Sequence, residues 1–466
     1  MKTLFARFDF SYIYAFLGEA TLGLTLVFFI ALARVLGPDQ YGVWAAAAAL
    51  AGILSFFIQF GLPNLLTREV SADPQKGAKS TVQFLLIEGL SALVVLFVLL
   101  PLAQMLGFQG HGILVCYLAV LAEVCRSAKQ TLRGVFRGMG WFRTESISVA
   151  VERFFAVAIA GVVLFATQDL ILVIATVVLV RTADIILLLC FLSRKVRIWS
   201  PISVSSIRKS VLVAYPFALS GVLWVIYYQI DLVMLKGLTT PEQAGFYSAA
   251  YRTLEIFSAL PRVIFAVAFT RFARCYATDP ARLPREIYKS TQLLLVSVLP
   301  ALCIAGFLQP FLIQMLYGEA FMPALKPLAI LLPSLGVKMF ATMATQFLQA
   351  SGREKCLPSL LLGATAVNVV CNFILIPLLG TTGAALATLI GELVLCLAGM
   401  SAMNRIGYHQ EAQSIALIAV ACLLVAGLPS LILNGLVPIV GIGLMIIGVG
   451  AILVIMRRDR FLPQSM

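Results

Sequence analysis

Charge is scarce in this chain. Lys, Arg, Asp and Glu make up 12% of its 466 residues, against about 25% in an ordinary soluble protein. Histidine occurs twice, as His111 and His409, both in polar connections between apolar runs. An intramembrane histidine relay is thereby excluded. The nine cysteines are scattered, with no CxxC pair, and most lie inside apolar runs, where Cys behaves as a small hydrophobe. No disulfide framework, metal site or cofactor site is expected. Long polar connections are missing too, so no soluble domain is inserted between the apolar segments. The strict apolar–polar alternation of an outer-membrane barrel is absent.

Apolar residues fill the space these absences leave, at 61% of the chain. A membrane helix takes roughly 20 apolar residues, so the supply suits about fourteen helices. The pattern predicts spans at 11–36, 41–66, 80–106, 112–136, 144–167, 170–193, 208–236, 243–272, 288–316, 324–350, 356–378, 382–404, 412–433 and 435–456. The first apolar run is longer than the roughly 7–15 residues of a signal-peptide core, and it reads as a first transmembrane helix.

The net charge of +13 is a topology signal rather than a nucleic-acid footprint. Lys and Arg collect in cytoplasmic loops. With the N-terminus inside and fourteen spans, 26 of the 34 basic residues fall on the cytoplasmic side and 3 on the other (Arg34, Lys236, Lys326). Basic residues towards span ends are counted with the adjoining side; the other five lie deep inside spans: Arg153, Arg181, Arg252, Arg262 and Lys338. Both termini are expected in the cytoplasm. The stripe Arg126, Lys129, Arg133, Arg137 at the end of the fourth span reads as a headgroup-facing topology feature.

The chain also repeats itself. Pro38-Asp39-Gln40-Tyr41-Gly42-Val43-Trp44-Ala45-Ala46 matches Pro241-Glu242-Gln243-Ala244-Gly245-Phe246-Tyr247-Ser248-Ala249. Each copy sits in the turn between the first two spans of its half. Six spans separate the copies, so the halves share one orientation, as in a two-lobed transporter with parallel repeats. The expected organisation is an all-α integral membrane protein with 14 transmembrane helices. Residues 1–200 form one six-helix lobe, 201–406 a second lobe related to it by a pseudo-twofold axis, and 407–466 two extra C-terminal helices.

Several segments in this order resemble the polysaccharide flippases of the multidrug/oligosaccharidyl-lipid/polysaccharide (MOP) superfamily. They are Ala33-Arg34-Val35-Leu36-Gly37-Pro38-Asp39-Gln40-Tyr41-Gly42, Gln59-Phe60-Gly61-Leu62, Ile230-Asp231-Leu232-Val233-Met234-Leu235 and Ala244 to Arg252. Later come Ala350-Ser351-Gly352-Arg353, Asn368-Val369-Val370-Cys371-Asn372 and Gly380 to Thr388. The resemblance implies a transporter in the bacterial inner membrane, not an enzyme. Its cargo would be undecaprenyl-pyrophosphate-linked oligosaccharide, moved from the cytoplasmic to the periplasmic leaflet by alternating access. It would work as a monomer alongside glycan polymerase machinery. It also implies that the last two spans help to form a groove for the prenyl tail, and their sequence agrees, with no charge from Ile415 to Met456.

Ionisable residues inside a bilayer cost roughly 2.5–3.5 kcal/mol each at a helix centre and normally face a wet cavity or the bundle interior. On one helix at about 100° per residue, Arg252, Glu255 and Arg262 share a face of the eighth span, and Lys338 lies mid-way along the tenth. Guanidinium groups offer bidentate donors to phosphate. The expected substrate-binding residues are therefore Arg252, Arg262, Lys338 and, from the other lobe, Arg153. Glu19, Glu255, Glu392, Arg181, Asp184 and Asp231 are expected coupling or cavity residues, Glu19, Glu255 and Glu392 as carriers of H+ or Na+. Arg181 and Asp184, three residues apart, also have the spacing to pair along one helix. Asp231 is a gate or a packing contact.

Three alternatives remain on sequence grounds. A lipid II flippase of the same superfamily would carry arginines within its first two helices, where this chain has Arg34 and Arg68 only near span ends. A cation-coupled multidrug exporter would have an acidic cavity. A polysaccharide polymerase or ligase would need a large catalytic loop, which the short connections do not supply.

Overall fold

The computed structural model describes residues 10–199, 204–416 and 419–420, with side chains from residue 23 onward apart from residue 76 and short stretches near 201–221 and at 259–260. Every described element is helical, and no strand occurs among the described residues. Nine of these helices are long and apolar enough to cross a membrane, ten if one bent pair counts as a single span. The protein is an all-α multi-pass membrane protein. The two spans expected at 412–433 and 435–456 lie almost wholly outside the described residues.

The first twelve expected spans all fall on helices. Spans one and two run together as α1 (Phe10–Gln59), interrupted only at Gly37, which has φ 75° and ψ 173°. A glycine reaches that backbone geometry without a Cβ clash. Pro38 follows as an opening residue that needs no amide donor, so one residue makes the turn. The helix stops at Gln59, short of the expected 66, because Phe60 and Gly61 both take positive φ. Leu62–Ala72 then forms a separate amphipathic helix, α2, with Leu62, Leu65, Leu66 and Val70 buried. A five-residue helix, α3 (Pro74–Ala78), leads into α4 (Thr81–Met105), α5 (His111–Gly138), α6 (Phe142–Thr167) and α7 (Leu170–Lys195).

The second half runs through α8 (Val204–Leu238), α9 (Pro241–Phe257), α10 (Ala259–Thr278), α11 (Leu283–Tyr317), α12 (Leu325–Ala350), α13 (Leu357–Leu379) and α14 (Thr381–Arg405). The eighth expected span is not one helix. It is divided between α9 and α10, which meet at 54°, and Pro261 lies in the first turn of α10, where it cannot donate back to the preceding turn.

The chain divides into two compact units, residues 1–245 and 246–466. The expected boundary at 200 differs from this by one helix, because α8 packs with α1 in the first unit. The first unit buries Ala46, Leu50, Ile58, Leu99, Phe108 and Val120 in one core cluster and Leu62, Phe84, Leu132, Phe136 and Leu192 in another. In the second unit α12 is the most enclosed helix, with Leu331, Leu332, Val337, Phe340 and Phe347 buried.

Outward faces are greasy in both units. Phe97 is 84% exposed, Val162 70% and Leu378 73%. A water-soluble protein rarely leaves contiguous apolar surface of this kind, whereas lipid is the matching solvent. The buried set correspondingly contains Glu88, Lys129, Arg133, Glu152, Asp231 and Glu392.

The repeated motif has a structural reason. A Cβ built on Gly42 would sit 1.8 Å from the carbonyl oxygen of Pro241, and one built on Gly245 would sit 2.1 Å from that of Pro38. Pro38, Gly42, Pro241 and Gly245 all fall within the first unit, where the start of α9 crosses the break in α1 with backbone touching backbone.

Candidate functional site: two charge clusters at membrane depth

The larger cluster lies between α5, α6 and α7. Residues three, four and seven apart share a helix face, so Arg126, Lys129, Arg133 and Arg137 of α5 form one stripe. α6 brings Glu145, Ser148 and Glu152 against it, and α7 brings Arg181 and Asp184. Lys129 forms an ion pair with Glu152. Arg133 reaches the other oxygen of Glu152 at 3.4 Å and Asp184 at 3.0 Å, and donates to the Ser148 hydroxyl at 3.2 Å. Arg181 lies 3.9 Å from both Glu123 and Glu152 and donates to the Ala122 carbonyl at 2.7 Å. Arg126 pairs with Glu123 and donates to Ser55 of α1. Arg137 pairs with Glu145 at 3.4 Å. Beneath them, Thr131 donates to Glu88 of α4 at 2.6 Å.

This geometry corrects two expectations. Lys129 and Arg133 are 2% and 8% exposed, so that part of the stripe does not face lipid headgroups; it is spent on carboxylates from neighbouring helices. Arg181 and Asp184 do not pair with each other. Arg181 turns to Glu123 of α5 and Glu152 of α6, and Asp184 to Arg133 of α5. Burying this many ions is tolerable only because nearly all are matched, since desolvating an unpaired ion costs several kcal/mol. The match is incomplete at the nitrogens: Arg133 Nε and Arg181 Nε are shut off from solvent without a hydrogen-bond acceptor.

The second unit holds a smaller cluster. Lys338 of α12 donates to the Tyr251 hydroxyl of α9 at 3.4 Å, lies 5.8 Å from the centre of that ring, and sits 3.9 Å from Glu392 of α14. Glu392 is 2% exposed. Tyr247 stacks on Tyr251 and shares a 2.9 Å hydrogen bond with Thr388. On α13, Asn372 donates to Asn368 at 3.0 Å, both fully buried.

The expected residues therefore separate. Lys338 and Glu392 are brought together, as are Arg252 and Glu255, paired at 2.9 Å. Arg262 is not on their face: it is an exposed residue beyond the α9–α10 break, and the helical phase does not carry through 54°. Arg153, half-buried, leaves α6 about 100° around from Glu152. Asp231 is buried in α8 at 4% exposure. Glu19 lies in α1, with its side chain outside the described residues. Lys129, Arg133, Glu152 and Tyr251 were not among the expected site residues. The usable signal was the i, i+3, i+7 basic stripe of α5 facing acidic residues on α6. Among the described residues no group of three or more His, Cys, Asp or Glu side chains is placed to hold a metal ion.

A family model described as polysaccharide biosynthesis protein matches residues 11–275, more than half of the chain. The chain belongs to the polysaccharide biosynthesis protein family. A curated relative, an uncharacterized membrane protein of Methanocaldococcus jannaschii, is 23% identical over 408 residues, 83% of this chain and 95% of that one. The solved structure of the lipid II flippase MurJ in an inward closed conformation superposes with a TM-score of 0.73 at 11% identity, over 97% of this chain and 100% of that one. An inward-facing multidrug resistance MATE family transporter of the MOP superfamily gives 0.69 at 15% identity, over 85% and 94%. A MOP superfamily transporter from Pyrococcus furiosus gives 0.55 at 15% identity, over 87% and 94%. This member of the polysaccharide biosynthesis family thus has the fold of MOP superfamily transporters.

Proposed function

We propose that this polysaccharide biosynthesis family member flips undecaprenyl-pyrophosphate-linked oligosaccharide from the cytoplasmic to the periplasmic leaflet of a bacterial inner membrane by alternating access, with both termini cytoplasmic. It supplies surface polysaccharide synthesis and makes or breaks no covalent bond. The observation that carries this reading is the excess of guanidinium and ammonium groups at membrane depth in both units. Arg126, Lys129, Arg133 and Arg181 stand in one, and Arg252, Arg262 and Lys338 in the other. Groups of this kind are costly in a bilayer, and a pyrophosphate is the part of a lipid-linked glycan that they match.

The test is complementation of a flippase-null strain, scored by surface glycan. The wild-type chain should restore it. Arg252→Ala/Arg262→Ala should lower export while the protein still inserts. Full export by that double variant would leave the phosphate contact to the α5–α7 cluster alone. Restored growth of a strain depleted of its lipid II flippase, with no surface glycan, would instead select the lipid II reading.

A further inference from the structure

We propose that Glu152 is a built-in counter-anion: it occupies the cations of the α5–α7 cluster in the empty protein and yields them to the substrate's pyrophosphate. The inference rests on the flippase reading above.

Glu152 stands at the focus of three bases. Its Oε1 takes Lys129 and lies 3.9 Å from Arg181, and its Oε2 takes Arg133 at 3.4 Å. A single carboxylate facing one ammonium and two guanidinium groups, at 8% exposure, is the arrangement expected of a bound phosphate rather than of a simple helix-to-helix ion pair. The charges agree. Arg126, Lys129, Arg133 and Arg181 face Glu123, Glu152 and Asp184, which leaves one positive charge over.

Donors are also left over. Arg133 Nε and Arg181 Nε are enclosed and bond to nothing, although an enclosed N–H without an acceptor is costly. A carboxylate has two oxygens, both already engaged. A pyrophosphate brings more non-bridging oxygens and at least one further negative charge, and so has acceptors for these donors. Arg181 has the longest carboxylate contacts of the three, at 3.9 Å beside its 2.7 Å bond to the Ala122 carbonyl, and its side chain is 23% exposed. It marks the open side of the cluster, next to Arg126 at 37% and Glu123 at 18%.

The physical role follows from the cost of the alternative. Without Glu152, Lys129 would be buried without its carboxylate in every empty protein molecule, and Arg133 would keep only Asp184. With it, binding becomes an exchange of one anion for another, and release is assisted by the carboxylate's return. A transporter needs that balance, because a site that held phosphate with no competitor would bind tightly and turn over slowly.

The experiment compares purified wild type, Glu152→Gln and Arg181→Gln in lipid nanodiscs. Undecaprenyl pyrophosphate is the probe. Undecaprenol, inorganic pyrophosphate and phosphatidylglycerol report on tail alone, headgroup alone and general anionic lipid. Glu152→Gln should bind undecaprenyl pyrophosphate about ten-fold or more tighter, a conservative figure for removing one competing charge in a close cluster. Its undecaprenol binding should not change. Its empty form should melt below wild type, and the probe should raise its melting midpoint by more than it raises that of wild type. In cells it should export more slowly. Arg181→Gln, at the more open position, should bind the probe about ten-fold more weakly. Unchanged probe affinity in both variants overturns the proposal, as does equal tightening towards undecaprenol. The flippase reading fails separately: wild type would then bind undecaprenyl pyrophosphate no better than phosphatidylglycerol and would not restore glycan.

Discussion

Gly42 and Gly245, equivalent positions in the two copies of the repeated motif, each meet the carbonyl of the proline that opens the other copy. The clearances left for a Cβ are 1.8 Å and 2.1 Å. No side chain fits either place, so the motif is held to glycine twice by one crossing.

Gly42→Ala and Gly245→Ala should each destabilise the protein, because the added methyl meets backbone that cannot rotate away. Overpacking of this kind costs about 1–3 kcal/mol, occasionally more. Gly89→Ala is the control: nothing lies within 4 Å of its Cβ position, and alanine favours a helix interior by about 1 kcal/mol. Thermal unfolding in detergent should show the first two falling and the third holding or rising. Equal stability of all three would refute the crossing.

Arg133 and Asp184, 3.0 Å apart between α5 and α7, should behave as a coupled pair. Arg133→Met strips the half-buried Asp184 of its ion-pair partner, and Asp184→Asn leaves Arg133 only the longer pair with Glu152 at 3.4 Å; each should destabilise by less than the about 3–5 kcal/mol of a fully stripped buried charge. Arg133→Met/Asp184→Asn should cost less than the two singles together, by about 0.5–3 kcal/mol. Strict additivity in unfolding measurements would mean that the two side chains act independently.

Much of the fold was legible in the sequence because apolar run length is a direct physical constraint in a bilayer, and α4, α7 and α14 end within two residues of their expected ends. The repeat was legible as well, since Pro38, Gly42, Pro241 and Gly245 are backbone requirements written as residue types. The site was less so. A helical wheel assumes an unbroken helix, and the break before Pro261 moved Arg262 off the face of Arg252. Nor does a wheel reveal what the neighbouring helix presents. Lys129 looks like a headgroup-facing lysine until Glu152 of α6 is placed against it. Arg181 and Asp184 had the spacing of a pair, but cross-helix partners decided otherwise.

Topology is open to direct labelling. Gln109, Thr240 and Thr278 are all exposed and lie at helix ends. In a variant without its native cysteines, Gln109→Cys and Thr240→Cys should react with an impermeant thiol reagent from the periplasm, and Thr278→Cys only after the membrane is opened. Labelling of Thr240→Cys from the cytoplasm alone would invert the second half of the chain and remove the parallel repeat.

Lys338 should be sensitive to shape as well as charge. It sits between the face of Tyr251 and the Glu392 carboxylate. Lys338→Met should abolish glycan export and also destabilise the second unit, because it strips a counter-charge from the buried Glu392. Tyr251→Phe should be milder, since the bond it removes is long at 3.4 Å. Wild-type export by Lys338→Met would take Lys338 out of the transport path.

Coupling to an ion gradient, by H+ or Na+, would need a carboxylate that changes its partner during the cycle. Glu392 and Glu255 differ in this respect. Glu392 is enclosed at 2% exposure with Lys338 at 3.9 Å, so giving up its charge would release the lysine. Glu255 is 41% exposed and paired only three residues away, with Arg252; exposed pairs of this kind contribute little. Glu392→Gln should therefore leave insertion intact and make glycan export insensitive to collapse of the gradient. Glu255→Gln should retain gradient dependence, and Glu19→Gln provides the comparison in the first half of the chain. Export assayed with and without an uncoupler separates the cases. Loss of gradient dependence in Glu255→Gln but not in Glu392→Gln would reverse the assignment.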